Sequence, residues 1–255
     1  MKSEKKIILV SCFFLLPFFS FGWGVLGHRV VGQIAESYLT PKARVEIQKI
    51  LGNESIAMAS NWADFIKSDS AYQYVYNWHF IDVDSGVTKA QLRDHLQKDT
   101  VADLFTKTNF LIRELKNKQL SMDKKRMYLK LLIHFVGDIH QPFHVGRQED
   151  LGGNKIKLTW FSTPTNLHAI WDEQLINFQQ LSYTEYAMAI NHITAQLRDS
   201  KSNQLQSVRV GEGLQRRGDV VIGEEGTEVR NLAQVRKEAG MDRVSERESV
   251  CDGAK

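Results

Sequence analysis

The sequence has little cysteine and little net charge, and each scarcity excludes a class of protein. Its 255 residues include only two cysteines, which are too few for a small domain held together by disulfides. The 33 Lys and Arg residues nearly balance the 30 Asp and Glu residues, so the formal net charge is +3. That charge is too small to indicate nucleic-acid or membrane binding by itself. A hydrophobic fraction of 42% excludes a wholly disordered chain.

The first 22 residues have the pattern of an export signal. Lysines near the start precede an apolar run from Ile7 to Phe19, and the small residues Ser20 and Gly22 suit a cleavage site. The run is too short for a membrane span. We therefore expect cleavage between Gly22 and Trp23 and a secreted or periplasmic protein. We also expect it to be a monomer with no stable membrane anchor.

Residues 23–202 have a mostly helical pattern. Thr40 and Pro41 are typical of a helix start, and Gly52 is typical of the end of that helix. Thr88 and Ser121 are further candidate helix caps, and the segment that follows Ser121 is long. Segments 100–117 and 182–198 have apolar residues at three- and four-residue spacing. The pattern predicts one largely α-helical domain.

One stretch of this domain departs from the helical pattern. Gly152, Gly153 and Asn154 lead into apolar residues that alternate with polar ones, ending at Trp160. A period of two after a glycine turn predicts a short β-hairpin. Strands are otherwise too few for a sheet-based fold.

The tail from Asn203 to Lys255 differs in composition from the rest of the chain. It contains no Phe, Trp or Tyr, whereas the first 202 residues contain all 25. Such a segment buries little surface to offset its ordering entropy. We expect a disordered tail, or a sequence altered by a frameshift near residue 202 that leaves the domain incomplete at its C-terminus.

Histidines and carboxylates recur in the helical domain at a spacing that favours metal binding. His134 and Asp138 are four residues apart in an apolar segment, so they share one helix face. His168 and Asp172 repeat that spacing. Burying so many imidazoles and carboxylates is costly unless a cation pairs with them.

Zinc is well suited to such a set, because it binds histidine nitrogen and aspartate oxygen. Further candidates are His28, Asp64, His79 and His144. Three other histidines have weaker surroundings: His95 and His192 are expected to be solvated, and His140 is ambiguous because it lies only two residues from Asp138.

Several motifs together resemble one family. The sequence resembles the secreted trinuclear-zinc nucleases of the S1/P1 type, which are related in fold to bacterial zinc phospholipase C. The resemblance rests on motifs in the family's order and spacing: Trp23-Gly24-x-x-Gly27-His28, Trp62-Ala63-Asp64, His79-Phe80-Ile81-Asp82, His134-Phe135-x-Gly137-Asp138-x-x-Gln141-Pro142-x-His144, Gly152-Gly153-Asn154, and Asn166-Leu167-His168-x-x-Trp171-Asp172.

The resemblance implies an all-α, phospholipase C/nuclease-type helical bundle with one short β-hairpin and three zinc ions per chain. It implies that side chains bind all three ions, and that the terminal amine and carbonyl of Trp23 are further ligands of one of them. The implied ligands are Asp64, His79, His134 and Asp138 for one ion, Trp23, His28 and Asp138 for a second, and His144, His168 and Asp172 for the third.

The resemblance also implies a reaction and its substrates. The implied activity is hydrolysis of single-stranded DNA and RNA to 5′-phosphate products, together with 3′-nucleotidase activity on 3′-nucleotides. Phe80 and Asp82 would stack on and hydrogen-bond a base. Asp64 and Asp138 would act at the catalytic centre. Lys67 would stabilise the transition state at a position where the family commonly has Arg.

Two other functions remain open from the sequence. One is a zinc-dependent phospholipase C, against which the base-pocket residues Phe80 and Asp82 argue. The other is an inactive, truncated family member, for which the abrupt change of composition at residue 203 is the evidence.

Overall fold

The computed structural model describes residues 23–84 and 86–192. The predicted signal peptide, the tail from residue 203 and the end of the 182–198 segment lie outside the described residues. Within them, the fold is mostly helical, as predicted. The helices are α1 (Val25–Ser37), α2 (Pro41–Leu51), α3 (Ile56–Ala59), α4 (Trp62–Ile66), a 3₁₀ helix (Ser70–His79), α5 (Lys89–Lys98), α6 (Leu104–Leu115), α7 (Met122–Asp138), α8 (Leu167–Ala169), a π-helical turn (Ile170–Gln174), α9 (Leu175–Asn177) and α10 (Tyr183–Ile190).

The predicted helix ends agree with the structure. The Thr40 hydroxyl accepts a hydrogen bond from the backbone of Ala43, and Gly52 follows the last residue of α2 with a φ of 69°. Thr88 and Ser121 cap α5 and α7 in the same way. Side-chain oxygens at these positions satisfy backbone N–H groups that have no partner within the helix.

Two short strand pairs interrupt the helices. Strands β3 (Lys157–Trp160) and β4 (Thr163–Asn166) form the predicted antiparallel hairpin. Strands β1 (Ile81–Asp82) and β2 (Val145–Gly146) pair in parallel, with Ile81 opposite Val145. The sequence did not predict this second pair, because two-residue strands have no measurable periodicity.

Helix α7 lies at the centre of the described fold. Leu131 and Phe135 on one face are fully buried in the main hydrophobic core, with Leu104 and Leu111 of α6. Another face carries His134 and Asp138, which are also fully buried. One helix therefore links the apolar core to the polar cluster.

Helices α1 and α3 cross at close range. A Cβ atom added to Gly32 in α1 would lie 2.8 Å from the Cα atom and 3.0 Å from the nitrogen of Ala57 in α3. Rotation of a side chain cannot relieve such a contact with backbone atoms. Only glycine therefore allows this approach, which places α1 and its His28 beside the polar cluster.

None of the helices in residues 23–84 and 86–192 has the combination of length and hydropathy that a transmembrane helix needs.

We expect Gly32→Ala to destabilise the protein by about 1–3 kcal/mol, because the added methyl group overpacks the contact with α3. The destabilisation should occur although alanine has the higher helix propensity. Urea unfolding followed by circular dichroism measures the change. Ala35→Gly, at an exposed position of α1, is the control for helix propensity. It should lower the free energy of unfolding by about 1 kcal/mol. A Gly32→Ala variant as stable as the wild type would contradict the close crossing.

Candidate metal centre

The structure brings the predicted side-chain ligands together in one buried region. Three groups of His and Asp side chains each have their ligand atoms within 4.8 Å of one another. All of these side chains are buried. The groups are His28, Asp64 and His134; His79, His134 and Asp138; and His144, His168 and Asp172.

Four candidate ligand residues meet where the first two groups share His134. The Nδ1 atom of His79 lies 3.0 Å from His134 Nε2, and each of these nitrogens lies 3.2 Å from Asp138 Oδ2. Asp64 Oδ1 lies 3.7 Å from His134 Nε2 and 3.8 Å from His79 Nδ1. Tetrahedral zinc with bonds of 2.0–2.2 Å keeps its ligand atoms about 3.3–3.6 Å apart. The spacing of His79, His134 and Asp138 is therefore close to that around one zinc ion, and Asp64 lies beside two of these ligands.

Asp138 faces two neighbouring positions at once. Its Oδ2 atom belongs to the group just described, whereas its Oδ1 atom lies 3.3 Å from His28 Nε2. Oδ1 is buried without a hydrogen-bond partner, as are both ring nitrogens of His28. Buried polar atoms without partners are costly in a folded protein. A second cation between His28 and Asp138 would satisfy them.

Trp23 lies next to this second position. Its indole Nε1 donates a hydrogen bond to the carbonyl oxygen of Gly137, 2.9 Å away, and the backbone nitrogen of Gly24 donates to the carbonyl of Asp172. Both acceptors are next to, or part of, candidate ligand residues. The first residues of the predicted mature chain are thus held against the polar cluster.

The third group is arranged by its neighbours. His168 Nε2 lies 2.9 Å from Asp172 Oδ2, and the rings of His144 and His168 stack 5.2 Å apart. Gln141 donates a hydrogen bond from its side-chain amide to Asp172 Oδ1, and its amide oxygen accepts one from the backbone of Phe143. Gln141 is fully buried. The sequence suggested no role for it, although it lies inside the quoted motif.

Backbone carbonyls orient three of the imidazoles. His134, His144 and His168 each use Nδ1 to donate to a carbonyl oxygen at 2.6–2.7 Å, which leaves Nε2 facing a candidate metal position. The acceptors belong to Ser60, His79 and Gly152. Histidine ligands of metals usually have such a partner on the other nitrogen.

Gly152 shows why a glycine pair is needed near this site. Its φ is 59°, and a Cβ atom there would lie 2.5 Å from the carbonyl oxygen of Phe143. The backbone must pass this close to let the Gly152 carbonyl reach His168. The Gly152-Gly153 motif therefore positions a histidine as well as starting the hairpin.

Charges within the cluster shift its pKa values. Burial alone would raise the pKa of Asp64, but the charges of His134 and Lys67 outweigh it and lower that pKa to about 2. Burial lowers the pKa of His79 to about 4. Burial would also lower the pKa of His144, but Asp138 outweighs it and raises that pKa to about 9. The carboxylate of Asp64 and the neutral ring of His79 are therefore ready to bind a cation, whereas His144 must first lose a proton.

A cavity of about 650 Å³ opens beside the cluster. His79, His144 and His168 line it together with Phe80 and Asp82, the predicted base-binding residues. Further lining residues are Lys67, Tyr76, Phe143, Leu151, Gly152, Asn154, Lys155, Lys157 and Asn166. The volume is in the usual range for a small-molecule site.

Lys67 joins the cluster to this cavity. Its Nζ atom lies 2.7 Å from Asp64 Oδ1, and both side chains are buried. The parallel pairing of β1 and β2 holds Phe80 and Asp82 nearby, because the backbone nitrogen of Ile81 donates to the carbonyl of His144 at 2.8 Å. Lys67, three of the predicted metal ligands and both predicted base-binding residues thus border one cavity.

The remaining histidines lie apart from the cluster. His95 and His192 are exposed, as predicted. His140 is exposed too, and its Nδ1 atom bonds the carbonyl of Val136 at 2.6 Å. A spacing of two from Asp138 thus turns His140 away from the candidate ligands.

Comparisons with known proteins agree with this geometry. The family described as S1/P1 Nuclease matches residues 23–238, a match that extends beyond residue 202. Endonuclease 3 of Arabidopsis thaliana is 32% identical over 196 residues, covering 72% of this chain and 66% of that protein. Nuclease S1 of Aspergillus oryzae is 33% identical over 165 residues, covering 61% of this chain and 55% of that protein. Nuclease P1 of Penicillium citrinum is 32% identical over 171 residues, covering 64% of this chain and 63% of that protein. The chain spans 55–66% of the length of these relatives.

We expect zinc to bind the metal-free protein more tightly as the pH rises from 6 to 8. His144 keeps its proton in that range because its pKa is raised to about 9. Zinc binding must displace the proton, so the apparent affinity should rise up to about tenfold per pH unit for each proton released. Calorimetric zinc titrations in two buffers of different ionisation enthalpy measure both the apparent zinc affinity and the number of protons released.

His95→Ala is the matched control for this titration, because His95 is exposed and outside the cluster. It should leave the proton release unchanged, whereas His144→Ala should reduce it. An affinity independent of pH over this range would contradict the assignment of His144 as a ligand.

Proposed function

Because the chain belongs to the S1/P1 nuclease family, we propose that it is a zinc-dependent endonuclease. The proposed reaction is hydrolysis of phosphodiester bonds in single-stranded DNA and RNA to 5′-phosphate products, with additional 3′-nucleotidase activity. The observation that carries the proposal is that two of the three buried His and Asp groups border a cavity with Phe80 in its wall. No single helix or motif would supply that combination.

We propose three zinc ions per chain, held by the ligands that the family resemblance implies. Asp64, His79, His134 and Asp138 would hold one ion, Trp23, His28 and Asp138 a second, and His144, His168 and Asp172 the third. The spacing of the ligand atoms around Asp138 supports the first of these sets. When bound, zinc polarises a phosphoryl oxygen and lowers the pKa of a water molecule.

The protein's own groups would bind and orient the substrate. Phe80 is half-buried in the cavity wall and offers a ring face for stacking with a base, and Asp82 can accept a hydrogen bond from that base. A base must leave the duplex stack to reach this space, which favours single strands.

Lys67 would place a positive charge beside the substrate phosphate. Asp64 fixes its ammonium group at 2.7 Å, and Lys67 also lines the cavity. A lysine offers one point charge, whereas arginine would offer a bidentate fork. Lys67 can therefore stabilise negative charge that develops on the phosphate.

The proposal includes export of the chain as a monomer to the periplasm or medium. Removal of residues 1–22 would free the amino group of Trp23, which the second ion requires as a ligand. Export and the assembly of the metal centre would then depend on the same cleavage.

We expect the purified mature chain to hydrolyse denatured DNA and to leave phosphatidylcholine intact. His168→Ala should lower kcat/KM on denatured DNA at least about 100-fold, because it removes a ligand of the third ion. His95→Ala, at an exposed position, should keep the wild-type value. Release of acid-soluble nucleotides and of phosphocholine measures the two activities. Hydrolysis of the lipid alone would favour the phospholipase alternative, and no hydrolysis would favour an inactive protein.

We expect about three zinc ions per mature chain that begins at Trp23, one for each group of ligands. A chain with one alanine added before Trp23 should contain about two, because its terminal amine no longer reaches the second position. Elemental analysis of both purified proteins measures the difference. Equal zinc content and equal activity would show that the amine of Trp23 is not a ligand.

A further inference from the structure

Two lysines lie at the start of the hairpin. Lys155 is the last residue of the turn that precedes β3, and Lys157 is the first residue of β3. Both are exposed and both line the cavity, whereas Ile156 and Leu158 between and after them are half-buried. The turn and the first residue of β3 thus place two positive charges at the cavity.

Among the residues that the structure describes, no carboxylate forms an ion pair with either of these two lysines. The ammonium of Lys155 donates to the backbone carbonyl of Glu149, and that of Lys157 to the carbonyl of Asn154, both at 2.9 Å. Neither lysine forms an ion pair within residues 23–84 and 86–192. Asp82 is the one carboxylate among the described residues that line the cavity. The hairpin side of the cavity is therefore positive.

An unused aromatic ring lines the same cavity. Tyr76 belongs to the 3₁₀ helix and its side chain is 48% exposed. Its ring centre lies 6.3 Å from that of Phe80, and the two ring planes are at 81°. Perpendicular rings cannot both stack face-to-face on one base. If Phe80 binds one base, the face of Tyr76 is available for a different one.

We propose that Tyr76, Lys155 and Lys157 form a second nucleotide subsite in the cavity. The two lysines bind the phosphate of a nucleotide adjacent to the one at Phe80, and Tyr76 stacks on its base. This inference rests on the proposed function and specifies its substrate: a strand of at least two nucleotides should bind better than a mononucleotide. Aromatic faces beside positive charge are the usual means of binding single strands.

The lysines are tested with Lys155→Gln/Lys157→Gln in the zinc-loaded protein. Its affinity for a fluorescein-labelled oligothymidylate should fall about 5- to 20-fold at low salt, and the slope of log affinity against log salt should become shallower by about 1–1.5. Stopped-flow fluorescence anisotropy records this binding before hydrolysis. Lys116→Gln/Lys118→Gln is the matched control: it removes the same charge from two exposed lysines outside the cavity and should leave the slope as in the wild type.

The tyrosine is tested with Tyr76→Ala. Its kcat/KM on a thymidine dinucleotide should fall about 5- to 20-fold, in line with the loss of one stacked base. The decrease on a 3′-mononucleotide should be at least several times smaller. Tyr76→Phe keeps the ring and should restore the dinucleotide value. Tyr74→Ala is the control, since Tyr74 is half-exposed on the same helix and lies outside the cavity lining.

The outcomes separate this inference from the proposed function. The subsite would be overturned if the two double-lysine variants had the same slope of log affinity against log salt. It would also be overturned if Tyr76→Ala lowered kcat/KM equally on the dinucleotide and on the mononucleotide. A wild-type protein that binds the strand with the expected lysine dependence but hydrolyses nothing would support the subsite and overturn the proposed activity.

Discussion

The buried carboxylate of Asp138 is the constraint on which the rest of the described structure depends. It is fully buried, and four imidazoles, those of His28, His79, His134 and His144, approach it within 3.3 Å. Removing so many polar groups from water is costly unless their charges are compensated. The imidazoles that compensate Asp138 come from α1, from α7, from the end of the 3₁₀ helix and from the segment after α7, so these parts of the chain converge on one point. The close α1–α3 crossing at Gly32 and the apolar packing of α7 both serve that convergence.

The irregular parts of the fold follow from the orientation of the imidazoles. His134, His144 and His168 all bond backbone carbonyls through Nδ1, and a regular helix offers few free carbonyls except at its end. The acceptors accordingly lie at Ser60 after α3, at His79 where the 3₁₀ helix ends, and at Gly152 in the turn before the hairpin. Loops and short helices in this protein therefore have a positioning role.

The sequence predicted local features of the site well and long-range ones only through the family resemblance. The four-residue spacings of His134 with Asp138 and of His168 with Asp172 indicate a shared helix face, and both pairs are close in the structure. Helix caps and the hairpin were equally readable, because turn and cap preferences are local. Nothing local indicates that Ile81 pairs with Val145 or that Gln141 bonds Asp172, since these contacts join segments far apart in the chain. Such contacts depend on packing, which periodicity does not encode.

The distribution of charge explains how a nearly neutral chain can suit the proposed polyanionic substrate. The net charge of +3 is spread over the whole sequence, whereas Lys67, Lys155 and Lys157 border one cavity. Electrostatic attraction in a cleft depends on the charges that line it, since salt screens charges beyond about 8–10 Å. Lys67 is held by Asp64, so Lys155 and Lys157 supply the positive charge of this cavity that no carboxylate of the described residues pairs with. The turn before β3 and the first residue of that strand therefore place Lys155 and Lys157 at the cavity, while Ile156 and Leu158 beside them are half-buried.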